Sequence, residues 1–326
     1  KILSHDPSWA SFTAMGFHYQ TQPLPTPVAW FMYQAPAWFH KFEQGIAYGA
    51  EIILPFFLFL PRRARHLGAR LMILFQALIA ITGNFCFFNF LSAALCLPVI
   101  DDTAWPSRRS APPTDGAVRW PSIVTVPLIA LLFILSLPLV SLRLTGRPRP
   151  YWLAGAVIRL SGFEVVNDYG LFSVMTTRRT EIEIQGSDDG KEWKTYEFRY
   201  KPGPVNERPR FVAPHQPRLD WQMWFAALSD LRSNPWLISV LRKLLEGSSE
   251  VGGLFKSNPF STAPPVYVRA VSYNYRFTTA EERRKTGDWW HREEAGLYCP
   301  PVSFRRVERE DEPAGTPPQQ GGVADE

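Results

Sequence analysis

Three long apolar runs, at 44–60, 66–100 and 121–142, precede a strongly polar stretch at 176–220. No single water-soluble core accommodates that distribution. Crossing ~30 Å of hydrocarbon takes about 20 apolar residues in helical conformation. Inside lipid, only helices and closed barrels satisfy their own backbone polar groups. The chain therefore reads as a multi-span α-helical membrane domain over 1–150, a soluble domain over 151–306, and a disordered tail over 307–326 rich in acid, Pro, Gly and Gln.

Spans are expected near 42–60, 66–82, 86–100 and 121–142. The first carries Glu51 and Pro55. The run 66–100 is too long for one helix, and Gly83-Asn84 offers the break. Asp101-Asp102 closes the third span, and 103–119 is polar and loop-like. Pro121 opens the fourth, and Arg143 ends its apolar run. Upstream, Trp30, Phe31, Tyr33, Trp38 and Phe39 crowd together after Pro23, Pro25 and Pro27. Such aromatics suit the headgroup level of a bilayer; a soluble aromatic core is the alternative reading.

Charge sharpens the picture. Residues 1–150 hold 12 Lys/Arg against 6 Asp/Glu, whereas 151–326 hold 23 against 24, so the excess behind the net +5 sits in the membrane half. Arg62, Arg63, Arg65 and Arg70 form the cluster expected to face the cytoplasm. Counting crossings from there delivers the soluble half to the lumenal or periplasmic side; Arg143, Arg147 and Arg149 argue the other way. Membrane lipids are the expected partner of the basic loops, and the absence of a basic stripe interleaved with aromatics excludes nucleic acid. The chain opens on Lys1 without a signal-peptide pattern and reads as a fragment. Cys86, Cys96 and Cys299 form no soluble disulfide framework, and no Asn-x-Ser/Thr sequon is present.

The soluble half reads as α+β. Residues 181–185 alternate, with Ile182 and Ile184 on one face; Gly186-Ser187-Asp188-Asp189-Gly190 is a turn; 194–200 alternates again through Tyr196, Phe198 and Tyr200. A third strand runs over 265–277. Together they predict an antiparallel β-sandwich (jelly-roll-like) core with inserted helices. The hairpin at 181–193 resembles one common in galactose-binding-like domains. Trp221, Trp224, Phe225 and Leu228 mark one helix face. Ser233-Asn234-Pro235 starts a second helix carrying Leu237, Val240, Leu241, Leu244 and Leu245, stopped by Gly247. Thr279-x-x-Glu282 is a capping box for a third.

Candidate sites follow from polar groups in apolar surroundings. Glu51 is expected to face the bundle interior, bonded to Asn84, Asn89 or Gln76. It serves either a proton or quinone site or a packing hydrogen bond. His18, His40, Lys41 and Glu43 cluster near the first span; interfacial anchoring is one reading and a relay the other, and no metal-ligand spacing appears. Asp101-Asp102 is either a headgroup site or a polar helix end. His215, Arg218, Asp220, Trp221, Gln222 and Trp224, behind the arm of Pro202, Pro204, Pro209, Pro214 and Pro217, form either a client-binding surface or a structural clasp. No Gly-x-Ser-x-Gly elbow and no Cys-x-x-Cys appears, so no catalytic centre, cofactor or metal is expected.

Several strings together resemble one family. They are His18-Tyr19-Gln20-Thr21-Gln22-Pro23-Leu24-Pro25, Thr82-Gly83-Asn84 with Phe87-Phe88-Asn89, Asp101-Asp102, Val166-Asn167-Asp168-Tyr169-Gly170-Leu171-Phe172, Tyr200-Lys201-Pro202-Gly203, Ala213 through Phe225, Asn258-Pro259-Phe260 and Tyr273-Asn274-Tyr275-Arg276-Phe277. They are similar to the lipase maturation factors. That resemblance implies a multi-span membrane protein, in animals of the endoplasmic reticulum, that helps dimeric lipases fold. A bacterial member would sit in the inner or plasma membrane. The layout of helices followed by a β-domain also resembles vitamin K-dependent carboxylase-like proteins, an analogy that does not fix function. The leading expectation is a folding factor holding a secreted, lipase-like client. Two rivals are a membrane enzyme acting on a lipid or quinone through Glu51 and the His18/His40 region, and a membrane-tethered carbohydrate-binding module.

Overall fold

The computed structural model describes residues 1–101, 121–145 and 172–304, with Gly155, Arg159, Val166 and Gly170 as single positions. The expected loop at 103–119, most of the string at 165–171 and the tail at 307–326 lie outside the described residues. In chain order the helices of the first part are α1 (Pro7–Ala10), α2 (Ala14–Thr21), α3 (Pro27–Tyr33), α4 (Ala37–Tyr48), α5 (Arg62–Thr82), α6 (Phe88–Cys96) and α7 (Ser122–Thr145). There follow β1 (Arg179–Ser187), β2 (Lys194–Tyr196), α8 (Arg218–Ala226), α9 (Pro235–Leu245), α10 (Ser249–Gly252), β3 (Tyr267–Phe277), α11 (Ala280–Thr286) and β4 (Trp290–Val302).

Among the described residues, three helical stretches are long and apolar enough to cross a membrane: Ala37–Phe59, Arg62–Thr82 and Ser122–Ser141; Phe88–Val99 is apolar but shorter. The first is irregular. It loosens into a π-type turn at Gly49–Ile53 and tightens into a 3-10 segment at Leu54–Phe59. Pro55 is the cause, since it lacks the N–H that would bond residue 51 and its ring crowds that carbonyl. Gly83 ends α5 where no side chain fits: a Cβ there would run into Gln22 Oε1 and the Phe85 ring. The chain then turns back, and Asn89 Nδ2 donates to Gln76 Oε1 at 2.9 Å, pinning α6 to α5. At the far end, Asp101 receives both Arg62 (2.6 Å) and His66 (3.2 Å). The end of the α6 segment thus returns to the start of α5.

By internal contacts the chain divides into two compact units. The first comprises Lys1–Glu181, Tyr200–Trp224 and Asn274–Glu293; the second comprises Ile182–Arg199, Phe225–Tyr273 and Glu294–Glu326. One cluster in the first unit buries Leu24, Phe85, Cys86 and Trp221, with Ile79, Phe172 and Tyr200 against it. Another buries Trp9, Ala14 and Met175.

The soluble part is α+β, and its strands form one four-stranded sheet in the order β2-β1-β3-β4. β1 and β2 pair antiparallel, Ile184 opposite Tyr196. In the second unit Tyr196 and Phe198 pack on Phe255, with ring centroids 5.2 and 4.9 Å apart. The buried stripe of α9 is Leu237, Leu241 and Leu244, at the i, i+4, i+7 spacing of one helix face. Gly247, at φ +72°, follows as its left-handed stop.

Four details differ from the sequence reading. β1 is buried on both faces, Glu181 and Glu183 included, so both faces of this strand are covered rather than one being solvated. β2 ends at Tyr196, since Glu197 bridges to Ser257 and the Arg199 guanidinium reaches the carbonyls of Gly253 and Leu254. Leu228 lies beyond α8 and, with Phe225, is exposed. The sequence pattern gives no sign of β4, because His291-Arg292-Glu293-Glu294 near its start lacks apolar alternation; it is an edge strand with Pro300-Pro301 near its end, where missing ladder donors are tolerated.

Candidate functional site

The polar groups of the first unit converge on the segment 18–25 and the turn after α5. Asn84 is their hub. Its Nδ2 donates to the carbonyls of Leu24 (3.1 Å) and Arg210 (2.7 Å). Its Oδ1 accepts from the backbone N–H of Val212 (2.7 Å) and Ala213 (3.0 Å). One side chain therefore ties the end of α5 to both the 18–25 segment and the proline-rich arm.

Arg179 does the same from β1. Its guanidinium donates to the carbonyls of Gln20 (2.8 Å), Gln22 (2.5 Å) and Pro23 (3.0 Å). It pairs with Glu181 at 2.5 Å, and Lys201 reaches the same carboxylate at 2.9 Å. All three side chains are buried, and Arg179 also lies 5.3 Å from the Trp290 ring. Burial pulls the Arg179 pKa down, and the Glu181 carboxylate opposes it. A buried pair of this kind depends on further bonds to its charged groups; here Nη1 and Nη2 make them, while Arg179 Nε is buried without a hydrogen-bond partner.

The string at 213–225 splits in two. Asp220 is buried and accepts from the backbone N–H of Tyr200 (2.8 Å) and Lys201 (2.9 Å); burial raises its pKa against those bonds. Trp221 packs in the Leu24–Phe85 cluster, and Trp224 Nε1 donates to the Thr21 carbonyl at 2.8 Å. These three residues are built into the clasp. His215, Arg218 and Gln222 are exposed, as is Phe211. Arg218 and Gln222 lie one helical turn apart on the open face of α8.

The membrane-level candidates separate as well. Glu51 does not meet Asn84, Asn89 or Gln76; it is part-exposed and paired with Lys1 Nζ. Asn84 and Asn89 each find other partners. His40 is buried, with Nδ1 3.1 Å from Glu43 Oε2, and the Tyr19 hydroxyl donates to Glu43 Oε1 at 2.5 Å. Burial, then Glu43, raises the Tyr19 pKa. His18 adjoins that group only through the edge of Tyr19, with ring centroids 5.5 Å apart. It stacks on Phe85 and meets Phe172 edge-on, and burial, with Lys1 adding to it, lowers its pKa to about 4. Lys41 is exposed. Among the described residues, no three His, Cys, Asp or Glu side chains converge as a metal site.

The Lys1–Glu51 pair makes a direct prediction. Glu51→Leu is expected to cost under about 1 kcal/mol, the range for an ion pair whose carboxylate is exposed. Lys1→Met with Glu51→Leu should recover most of that, because apolar replacement of both partners is close to neutral. Thermal melts of the chain in detergent read both. A double variant no better than the single would show that Glu51 acts through another group.

Sequence reasoning missed Arg179, Glu181 and Lys201. The available signal was charge inside strand β1, at Arg179-Thr180-Glu181-Ile182-Glu183, where a solvated face was the simpler reading.

Comparison with known proteins covers most of the chain. A family model described as the lipase maturation factor transmembrane domain matches residues 1–107, and one described as the lipase maturation factor C-terminal domain matches 165–300. Lipase maturation factor 1 of Mus musculus is 36% identical over 330 residues, covering 91% of this chain and 56% of the mouse protein. Lipase maturation factor 2 of Homo sapiens is 32% identical over 411 residues, covering 93% of this chain and 57% of the relative. The chain thus spans a little over half the length of these relatives. No solved structure matches.

Proposed function

The chain belongs to the lipase maturation factor family, and on that premise we propose that it is a membrane-anchored folding and assembly factor for secreted, lipase-like clients. The observation that carries this reading is the pair of family matches, to the membrane part and to the C-terminal part in one chain. Nothing in the geometry favours the enzyme or carbohydrate-binding readings. Glu51 pairs with Lys1 and His18 stacks on Phe85, and the hairpin turn is closed on itself. Asp189 there accepts from the N–H of Lys191 and Glu192.

The chain is an integral membrane protein. In a eukaryote we place it in the endoplasmic reticulum membrane, in a bacterium in the inner membrane, with domain limits near 150 and 306. The 151–306 domain faces away from the cytoplasm in this reading. Two observations support that side. The Arg62–Arg70 cluster opens α5, and the positive-inside rule puts such clusters in the cytoplasm. The arm and the Arg179 group gather instead around Thr82–Asn84 and the 18–25 segment, at the other end of a 21-residue helix, about 31 Å away.

The client surface we assign is the exposed face formed by Phe211, His215, Arg218 and Gln222. Expressed in cells lacking their own maturation factor, the chain should raise the secreted activity of a dimeric lipase several-fold and leave a non-lipase secreted enzyme unchanged. Equal effects on both enzymes, or on neither, would reject the proposal. Arg218→Ala with Gln222→Ala should cut client capture while stability moves by under ~0.5 kcal/mol, the usual limit for exposed polar changes. A large melting shift would return these residues to the clasp.

A further inference from the structure

We propose that Arg208 and Arg283, converging on the indole of Trp289 beside Trp30 and Phe31, bind the phosphodiester of a membrane lipid headgroup at the edge of the first span. The Arg283 guanidinium lies 3.6 Å from the Trp289 ring and 4.6 Å from the Trp30 ring. Arg208 lies 5.7 Å from the same Trp289 ring. Two cations thus share one indole, and neither has a carboxylate partner among the described residues. The acids of α11 are already engaged: Glu282 takes Arg276 in a two-pronged pair at 2.7 and 2.8 Å, and Glu281 takes Lys285 at 2.7 Å. The Arg276 pairing holds the Glu282 pKa down to about 2. Arg284 is exposed beside them. Like charges gathered on one aromatic face attract an anion, and guanidinium forks match phosphate oxygens.

The height of this cluster identifies the anion. Gln34 donates to the Thr278 carbonyl at 3.0 Å and accepts from the Ala280 N–H at 3.2 Å, and Trp30 Nε1 donates to Thr278 Oγ1 at 3.3 Å. Those bonds fix the start of α11 against the end of α3, three residues before the first span opens at Ala37. Phe31, Trp38 and Phe42 there are 57%, 69% and 58% exposed. Trp38 and Phe42 are one turn apart on α4, an apolar stripe that continues into the span. Aromatics and arginines at this level are the usual pair at a bilayer interface, apolar bodies toward the acyl chains and cations toward phosphate. A soluble anion or an acidic peptide would not need that stripe.

Two measurements on the full chain in nanodiscs of mixed phosphatidylglycerol and phosphatidylcholine test the assignment. Native mass spectrometry should find phosphatidylglycerol retained. Arg208→Gln, which leaves the Trp30–Arg283–Trp289 stack intact, should reduce retention about fivefold, the effect of removing one basic contact near the surface. Arg208→Gln with Arg283→Gln should reduce it further. A fluorophore on Arg284→Cys, the native cysteines being buried, should be quenched by headgroup nitroxide lipid. If the double variant fails to fold, the single variant and the label decide. Unchanged retention in Arg208→Gln, displacement of the lipid by inorganic phosphate, or quenching of the label by soluble iodide alone would each overturn the proposal.

Discussion

Asn84→Ala is expected to lower stability by about 4 kcal/mol or more and to open 205–216 to protease. Four hydrogen bonds end on this one buried side chain, from or to Leu24, Arg210, Val212 and Ala213. Each partner is a backbone group; the Leu24 carbonyl keeps the Asn84 backbone N–H at 3.2 Å, while truncation strands the Arg210 carbonyl and the N–H groups of Val212 and Ala213. A buried polar group left unsatisfied costs about 1–3 kcal/mol. Asn89→Ala provides the scale: it breaks one bond to Gln76 and should cost about 1 kcal/mol. Asn84→Asp separates the two halves of the amide. It keeps the acceptor for Val212 and Ala213, loses both donors, and sets a carboxylate against two carbonyls. Its loss should fall between the other two at low pH and grow as pH rises and the carboxylate ionises. Melts in detergent combined with limited proteolysis read all three. An Asn84→Ala loss below ~1 kcal/mol would mean that the arm is held by something else.

This expectation reverses the sequence reading of the same residue. Asn84 sits between apolar runs, and from sequence its natural partner is another intramembrane polar group, Glu51. Periodicity identifies a polar residue in an apolar setting. It carries no information on partners 126 to 129 positions away, because those depend on how the arm returns to the membrane part. Where the partner was local, the sequence was readable: the Thr279–Glu282 capping box forms as expected, both halves present. The same division runs through 213–225. Trp221 and Trp224 were legible as buried by their spacing, yet Phe225 at the next step is exposed, because α8 ends at Ala226 and its face has nothing more to cover. Asn234 shows a subtler case. It stands at the N-cap of α9, as its Ser-Asn-Pro context suggests, yet its side chain accepts from Trp236 Nε1 rather than from a helix N–H. Position was legible; bonding was not. Length failed at β4, where charge and proline mask a strand that only the sheet's edge permits.

The second large effect is expected at Arg179. Replacing it with Met should cost about 3–5 kcal/mol, the range for removing one partner of a buried pair. Two losses combine. Glu181 keeps only Lys201 in a site without water access, and the carbonyls of Gln20, Gln22 and Pro23 lose their donor. Arg179→Lys should rescue little, because one ammonium cannot reproduce a planar fork that reaches three carbonyls and a carboxylate together. A triple change, Arg179→Met with Glu181→Leu and Lys201→Met, separates the two contributions. It removes every charge, so whatever it recovers relative to the single variant measures the stranded ion. What it fails to recover measures the carbonyls at 20–23, which no apolar side chain can satisfy. The residual should be at least about 1 kcal/mol. A triple variant as stable as the wild type would assign Arg179 to charge balance inside β1 alone. A persistent deficit, with protease entering at 172–178, would identify it as the tie between β1 and the 18–25 segment. That segment lies beside the end of α5, to which it is bonded through Gln22 and Asn84.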